Sequence, residues 1–230
     1  MTAPAAGLGP ERDCPLCPRL AAFRAEQRGA FPASHNAPVP SFGGSDGRLL
    51  VVGLAPGLRG ANRTGRPFTG DYAGVLLYAT LRKFGFAHGD YDERADDGLA
   101  LVDCRITNAV RCVPPENKPE PKEIATCNGF LAMEIKTLPR LRAVLALGSI
   151  AHQAALAALG QRRSACRFQH GAIHALPGGL LLADSYHCSR YNTNTGRLTP
   201  AMFETVFAEL RRRLDEQGKA AVTGARVQAS

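Results

Sequence analysis

The sequence predicts an α/β fold, a three-layer α/β/α domain with a central four-stranded parallel sheet. Four short apolar runs, each as long as a typical strand, alternate with segments of helical periodicity. Their apolar residues are mostly consecutive rather than at every second position, which is typical of parallel strands covered by helices on both faces. They are RLLVVG (48–53), ALVDCRITN (100–108), RAVLALG (142–148) and GLLLADS (179–185).

Four helical segments lie between and after these runs. The last one has Thr199 as its predicted N-cap and Pro200 in its first turn, a common helix start. Six of its residues recur at helical spacing and form one apolar stripe, which indicates core packing: Met202, Phe203, Val206, Phe207, Leu210 and Leu214. The four segments cover residues 71–84, 122–138, 149–159 and 199–217.

A chain of 230 residues suits one large domain. We assign this domain to 13–217 and expect disorder in 1–12, which is rich in Ala, Pro and Gly, and in 218–230, where apolar periodicity is lost. The sequence has neither a signal-peptide pattern nor an apolar run of the roughly 20 residues that a membrane span needs. We therefore expect a cytoplasmic protein of bacterial type that acts at the nucleoid, without a membrane partner and as a monomer.

The net charge of +8 favours a polyanionic partner such as nucleic acid, although a solvated basic surface accounts for it equally well. The seven cysteines are an odd number in a chain assigned to a reducing compartment, so metal binding is a better interpretation than disulfides.

Four cysteines have the spacing of metal ligands. Cys14 and Cys17 form CPLC, and Cys112 and Cys127 are separated by a proline-rich stretch that cannot be one continuous helix. Four thiolates suit either tetrahedral zinc or a [4Fe–4S] cluster. The second pair is not CxxC, which favours iron–sulfur, with zinc as the alternative. The other three are interpreted as small buried hydrophobic residues: Cys104, Cys166 and Cys188.

A glycine-rich segment, GLAPGLRGANRTGRPFTGD (53–71), follows the first strand. It matches neither a Walker loop nor GxGxxG, so a nucleotide-cofactor site is a weak interpretation. Its glycines let backbone amides approach a flat or anionic ligand closely. Phe68 can stack on a planar ligand or anchor the loop in the core. Asp71 precedes a helix, where a carboxylate either caps the backbone or does chemistry.

Two polar side chains follow other strands, and ligands of parallel sheets bind at the carboxyl ends of strands. The Asn108 amide, with one donor and one acceptor side, can pair with O4 and N3–H of uracil, or it can cap backbone. His187 opens HCSRYNTNTGRLTP and can donate to a developing oxyanion, ahead of residues that suit phosphate contacts. A polar turn is the alternative for that segment.

The motifs CPLC, GLAPG, GANRTGRPFTGD, ITNAVRCVPPENKPEP with Cys127, and HCSRYNTNTGRLT together resemble the uracil-DNA glycosylase superfamily. The resemblance covers Cys14 to about Pro200 and is strongest to family 5, the B type. It implies a [4Fe–4S] cluster on Cys14, Cys17, Cys112 and Cys127. It also implies hydrolysis of the N-glycosidic bond of uracil, and of other deaminated bases such as hypoxanthine, in duplex DNA with the base flipped out. An abasic site is left.

The resemblance also implies roles for individual residues. Asp71, Asn108 and His187 are the catalytic candidates, and Phe68 stacks on the base. The first motif has no polar side chain to help water attack, as in the B type, so that role moves to Asp71. The base pocket is assigned to Gly53, Leu54, Ala55, Pro56 and Gly57, with Phe68, Asn108 and His187. DNA contacts are assigned to Arg63, Arg190, Asn192 and Asn194.

Two other functions fit parts of the sequence. A non-catalytic iron–sulfur or zinc protein that binds nucleic acid shares the cysteines and the charge, but it leaves Asn108 and His187 at the strand ends unexplained. A nucleotide-binding α/β enzyme would use GLAPG as its phosphate loop, but the P-loop lysine is missing.

Overall fold

The computed structural model describes residues 9–227, with side chains to residue 218. Within these residues there are seven strands: β1 (Leu49–Gly53), β2 (Ala87–His88), β3 (Ala100–Leu101), β4 (Cys104–Asn108), β5 (Ala143–Leu147), β6 (Ile173–Ala175) and β7 (Leu181–Ser185). The α-helices are α1 (Pro18–Ala30), α2 (Ala61–Thr64), α3 (Tyr72–Lys83), α4 (Pro121–Thr137), α5 (Ser149–Ala158), α6 (Arg190–Asn194) and α7 (Pro200–Val227).

The main sheet has five strands in the order β4-β1-β5-β7-β6. The first four are parallel, and β6 pairs antiparallel with β7 at one edge. The predicted fold class is confirmed, and the four predicted parallel strands are four of the five. Sequence patterning did not identify β6, because it has three residues and none of them is fully buried.

Residues 100–108 do not form one strand, and that prediction was wrong. Ala100–Leu101 pairs with Ala87–His88 in a separate small hairpin, and the sheet strand begins at Cys104. Asp103 separates the two with a left-handed backbone, φ +54°. Its carboxylate accepts hydrogen bonds from the Arg48 backbone N–H (3.0 Å) and Nε (2.7 Å), which stabilise this turn at the start of β1.

The sheet is buried on both faces, which explains why its central strands β1 and β5 carry no polar side chains. In β1, Leu49 and Val51 pack in the core with α3 and α7, whereas Leu50 and Val52 pack in the core with α4 and α5. The stripe of α7 faces the first of these cores, and five of its six residues are buried. Thr199 caps the helix by accepting a hydrogen bond from the Met202 N–H (3.2 Å).

The helix α7 continues to Val227, past the predicted end of the domain at residue 217. The residues KAA that follow Gly218 are good helix formers, and no proline ends the helix there. Residues 1–8 and 228–230, which belong to the segments predicted to be disordered, lie outside the described residues. The assignment of one domain to 13–217 stays a prediction.

None of the helices in the described residues combines the length and apolar composition that a bilayer crossing requires.

Candidate active site

A cleft of about 880 Å³ opens at the carboxyl ends of β1, β4 and β7. The segments that follow these three strands all line it. The segment that starts at Ser149 does not line the cleft. The lining residues are Leu54 to Ala61, Phe68, Gly70 to Ala73, Asn108, Asn117, His187, Ser189 and Arg190.

Gly53, the last residue of β1, lies behind the cleft wall and pairs in register with Asn108 of β4. A Cβ at Gly53 would overlap Asn108 Oδ1 and would lie 2.6 Å from Phe68 Cζ. Atoms at such distances must move, so the missing side chain lets the aromatic ring and the amide meet over the strand end. The predicted pocket residues Leu54 to Gly57 continue this wall into the cleft.

The backbone of Phe68 is left-handed, with φ +52°, which is unusual for an aromatic residue. The surrounding structure holds it there. Tyr91 donates a hydrogen bond to the Phe68 carbonyl (3.2 Å), and Gly74 of α3 leaves room for that carbonyl, since a Cβ at Gly74 would overlap it. Arg66 anchors the same loop through a buried ion pair with Asp97 (2.7 Å). The ring is therefore fixed before any ligand arrives.

Two polar groups beside Phe68 are not used by the fold. Neither the amide of Asn108 nor the ring of His187 has a hydrogen-bond partner among the described side chains and backbone. Asn108 is 3% exposed, so its position is fixed, and both residues line the cleft. The His187 ring stacks near Phe68, with centroids 5.8 Å apart and an interplanar angle of 29°. This argues against the backbone-capping alternative for Asn108.

Burial lowers the pKa of His187 to about 4. The imidazole is therefore neutral at neutral pH and keeps one N–H to donate. Its backbone is held from the following helix, because Asn192 Nδ2 donates to the His187 carbonyl (2.8 Å). The segment that follows His187 includes the short helix α6 rather than only a polar turn. Ser189 caps this helix by accepting from the Asn192 N–H (3.4 Å).

Asp71 is the N-cap of α3, and its Oδ1 accepts from the Gly74 N–H (3.3 Å). Its Oδ2 points instead toward the glycine loop. A Cβ at Gly60 would overlap that oxygen, and a Cβ at Gly57 would lie 3.3 Å from it. Burial raises the pKa of Asp71. Capping and chemistry therefore do not exclude each other, since each carboxylate oxygen has its own surroundings.

Three residues of this region were missed by sequence reasoning. Asn117 lines the cleft, and its Oδ1 would lie 4.0 Å from a Cβ at Gly57, on the same side as Asp71 Oδ2. Arg59 lines the mouth, and Tyr191 is 73% exposed on α6. The only sequence signal for Asn117 is that a polar amide lies within a proline-rich stretch. In the structure its backbone is left-handed, with φ +57°.

The residues predicted to contact DNA have different surroundings. Arg190 lines the cleft, whereas Arg63 is exposed beside Gly70 and donates to the Arg59 carbonyl (2.9 Å). Asn194 is exposed at the end of α6, whereas the amide of Asn192 is occupied by His187.

The four cysteines with metal-ligand spacing are brought together beside this cleft. They line one small pocket between α1, the end of β4 and α4, with Leu20 and Val110. Burial raises the pKa of Cys112 to about 11 and also raises that of Cys17 and Cys127. Metal binding would displace protons from these thiols.

Arg24 is the charged neighbour of these thiols and is 4% exposed. It donates to Cys112 Sγ (3.3 Å) and to the Cys14 carbonyl (3.0 Å). No carboxylate of the described residues lies within 4.0 Å of it, and Asp13 pairs with Arg28 instead. A buried guanidinium without an acid requires another negative charge nearby, which thiolates bound to a metal centre would supply.

Comparison with known proteins agrees with this geometry. The model of the uracil DNA glycosylase superfamily matches residues 40–211. The chain belongs to this superfamily. It is 48% identical to a type-5 uracil-DNA glycosylase of Thermus thermophilus over 204 residues, covering 86% of this chain and 93% of the relative.

Two further relatives of this superfamily member come from Pyrobaculum aerophilum. A type-5 uracil-DNA glycosylase is 40% identical over 90% of each chain. A type-4 uracil-DNA glycosylase is 34% identical over 54% of this chain and 56% of the relative. The likeness to type 5 therefore covers most of the chain, and the likeness to type 4 covers about half.

The lowered pKa of His187 predicts a pH-dependent stability. In the unfolded chain the pKa is about 6.5, so between about pH 6.5 and about pH 4 only the unfolded state gains this proton. The free energy of unfolding should fall with pH in that window, by up to about 1.4 kcal/mol per unit from this group. Urea titrations of wild type and His187→Gln should diverge there, with the wild type losing more stability.

The exposed His88 provides the control. His88→Gln removes an exposed imidazole and should be as stable as the wild type at pH 7, which controls for the substitution itself. Parallel curves for wild type and His187→Gln between pH 6.5 and 4 would contradict a buried neutral imidazole.

Proposed function

We propose that this protein hydrolyses the N-glycosidic bond of uracil in DNA and leaves an abasic site. The observation that carries the proposal is a pair of groups without partners in the described fold, the Asn108 amide and the His187 ring, beside the fixed ring of Phe68. A flat ligand with a polar edge completes this arrangement. A non-catalytic nucleic-acid-binding protein has no use for it.

The base would bind in the cleft after flipping out of the duplex, because the glycosidic bond is otherwise out of reach. Phe68 stacks on the base, and backbone of Leu54 to Gly57 lines its other side. Asn108 offers a donor to O4 and an acceptor to N3–H of uracil. Cytosine presents the opposite pattern, and a bidentate pair of this kind discriminates by about 1–3 kcal/mol.

Bond cleavage places negative charge on the leaving base and positive charge on the sugar. The neutral imidazole of His187 donates a hydrogen bond to O2 of the base and stabilises the developing anion. A fixed donor of this kind contributes about 10²–10³ in rate. Asn192 supports the donor by holding the His187 backbone (2.8 Å).

Asp71 Oδ2 and Asn117 Oδ1 approach Gly57 from the same side of the cleft. Two acceptors so placed can orient an attacking water and offset the charge of the sugar.

Asp71 acts in its ionised form, so the rate of uracil excision should decline as acid protonates its carboxylate. Because burial raises this pKa, the decline begins at a higher pH than for an exposed aspartate.

The cleft mouth would hold the DNA strand. Arg190 lines it and contacts phosphate, and the exposed Tyr191 beside it fills the gap that the flipped base leaves. Arg63, Asn192 and Asn194 are assigned to the same surface. Phosphate contacts from such side chains fix the register of the protein on the strand.

We infer that the four cysteines hold a [4Fe–4S] cluster rather than zinc, and the spacing of their sulfurs supports this choice. Tetrahedral zinc holds its sulfur ligands about 3.8 Å apart, from Zn–S bonds of about 2.3 Å. No three of these sulfurs, all on described residues, lie within 4.8 Å of one another. A cubane cluster spaces its thiolates more widely. Cys14, Cys17, Cys112 and Cys127 would hold it, with Arg24 offsetting its negative charge, and it would supply a fixed centre for the loop that carries Asn117.

The function is tested by incubating the protein with a duplex that carries one uracil and cleaving abasic sites with alkali. The wild type should produce strand breaks at the uracil. Asp71→Asn keeps a cap oxygen but loses the charge, so it should lower the single-turnover rate by roughly 10²-fold or more while melting near the wild type. Gly129→Ala, at an open position of α4, is the control for substitution itself.

Intact uracil DNA with a folded, metal-loaded wild type would contradict the proposed function. If instead Asp71→Asn excises at the wild-type rate, Asp71 is a cap and has no catalytic role.

The cofactor is tested by colour and metal content. Protein purified without oxygen should be brown and contain about four irons per chain. Cys112→Ser should lose both, whereas Cys166→Ser, outside the four, should keep them. A colourless wild type with one zinc would contradict the iron–sulfur assignment.

A further inference from the structure

A contact between Tyr72 and Arg190 spans the mouth of the cleft. Tyr72 is the first residue of α3 and follows Asp71, whereas Arg190 is the first residue of α6 and lies three residues after His187. The Arg190 guanidinium carbon lies 5.2 Å from the centroid of the Tyr72 ring. The two residues therefore come from different helices, and both line the cleft together with Asp71 and His187.

Neither side chain has another polar partner among the residues that the structure describes. Tyr72 is 38% exposed, and its hydroxyl makes no hydrogen bond to any described residue. No carboxylate of the described residues lies within 4.0 Å of Arg190, although other exposed arginines, such as Arg94 and Arg212, have acidic partners. The aromatic face is the contact that gives the guanidinium its position.

The chemistry of this contact differs from that of an ion pair. A carboxylate would occupy the N–H edge of Arg190 and neutralise its charge. A ring contacts only the flat face, so the N–H donors stay free and the charge stays in place. Those free donors match the two oxygens of a phosphate.

We propose that Tyr72 is a positioning residue that holds Arg190 across the cleft mouth for the phosphate next to the flipped nucleotide. The inference rests on the proposed function. Tyr72 acts through Arg190 and does not touch the reacting atoms. The same contact joins the N-terminal end of α3, which Asp71 caps, to the N-terminal end of α6, which follows His187. It therefore also sets the width of the cleft mouth.

A double-mutant cycle on DNA binding tests this proposal. The variants are Tyr72→Leu, Arg190→Gln and the double variant, and the probe is a duplex with a tetrahydrofuran abasic analogue, which needs no hydrolysis. Tyr72→Leu should weaken binding roughly 2- to 5-fold, the range of an exposed cation–π contact. Arg190→Gln should also lower the slope of log K against log salt by about one phosphate contact. The double variant should bind no more weakly than Arg190→Gln.

Two variants separate positioning from general structural damage. Tyr72→Phe keeps the ring and should bind like the wild type. Val75→Ala, at another exposed position of α3, should also leave binding and its salt slope unchanged. All variants should melt near the wild type, since neither side chain is buried.

Additive losses in the cycle would overturn the proposal, because Tyr72 would then contact DNA independently of Arg190. A Tyr72→Phe variant as weak as Tyr72→Leu would overturn it too, since the hydroxyl rather than the ring would be responsible. The proposed function fails separately: the wild type would leave uracil DNA intact, whatever the binding cycle shows.

Discussion

The site depends on one steric constraint, the absence of a side chain at the end of β1. Gly53 lies in register with Asn108, and its missing Cβ leaves room for both the Asn108 amide and the Phe68 ring. Neither group could occupy its place beside a larger residue. Phe68 lies in the loop that follows β1. Its left-handed backbone and the hydrogen bond from Tyr91 to its carbonyl hold the ring against the carboxyl end of that strand. His187, in the segment that follows β7, lies beside Phe68 and is the third side chain of the site.

A buried ionic network connects this strand end to the cysteines. Glu134 of α4 accepts from Arg105 and Thr107 of β4 and from Arg111 just beyond it, and Glu134 and Arg111 are almost fully buried. The Arg111 N–H also donates to Cys127 Sγ (3.4 Å). Removing one member of such a network leaves buried charge unpaired, which commonly costs about 3–5 kcal/mol. The segment between Cys112 and Cys127 and the strand that ends at Asn108 thus share one rigid support.

Much of the fold could be predicted from sequence, because its signals are local. The continuous apolar runs specify buried parallel strands, and Thr199 with Pro200 specifies the start of α7. Edge elements could not be predicted in this way. β6 is short and half-buried, and the break at Asp103 depends on Arg48, which lies 55 residues away in sequence.

The candidate site also combines residues that local sequence signals identify with residues whose place depends on distant parts of the chain. Asn108 and His187 follow apolar runs, so strand ends identify them. Asn117 reaches the cleft from the proline-rich segment between Cys112 and Cys127, and its place depends on how that segment folds back toward β1. The contact of Tyr72 with Arg190 joins residues more than a hundred positions apart, and no motif marks it. The two environments of the Asp71 oxygens are likewise visible only in three dimensions.

The most direct measurement is the single-turnover rate of uracil excision by Gly53→Ala beside Gly129→Ala. The added methyl at Gly53 would displace Phe68 and Asn108, and displacements of about 1 Å in a site cost roughly 10²-fold. We expect Gly53→Ala to fold like the wild type and to lose excision to about that extent. Gly129→Ala should match the wild type. A Gly53→Ala protein that excises uracil at the wild-type rate would contradict the account.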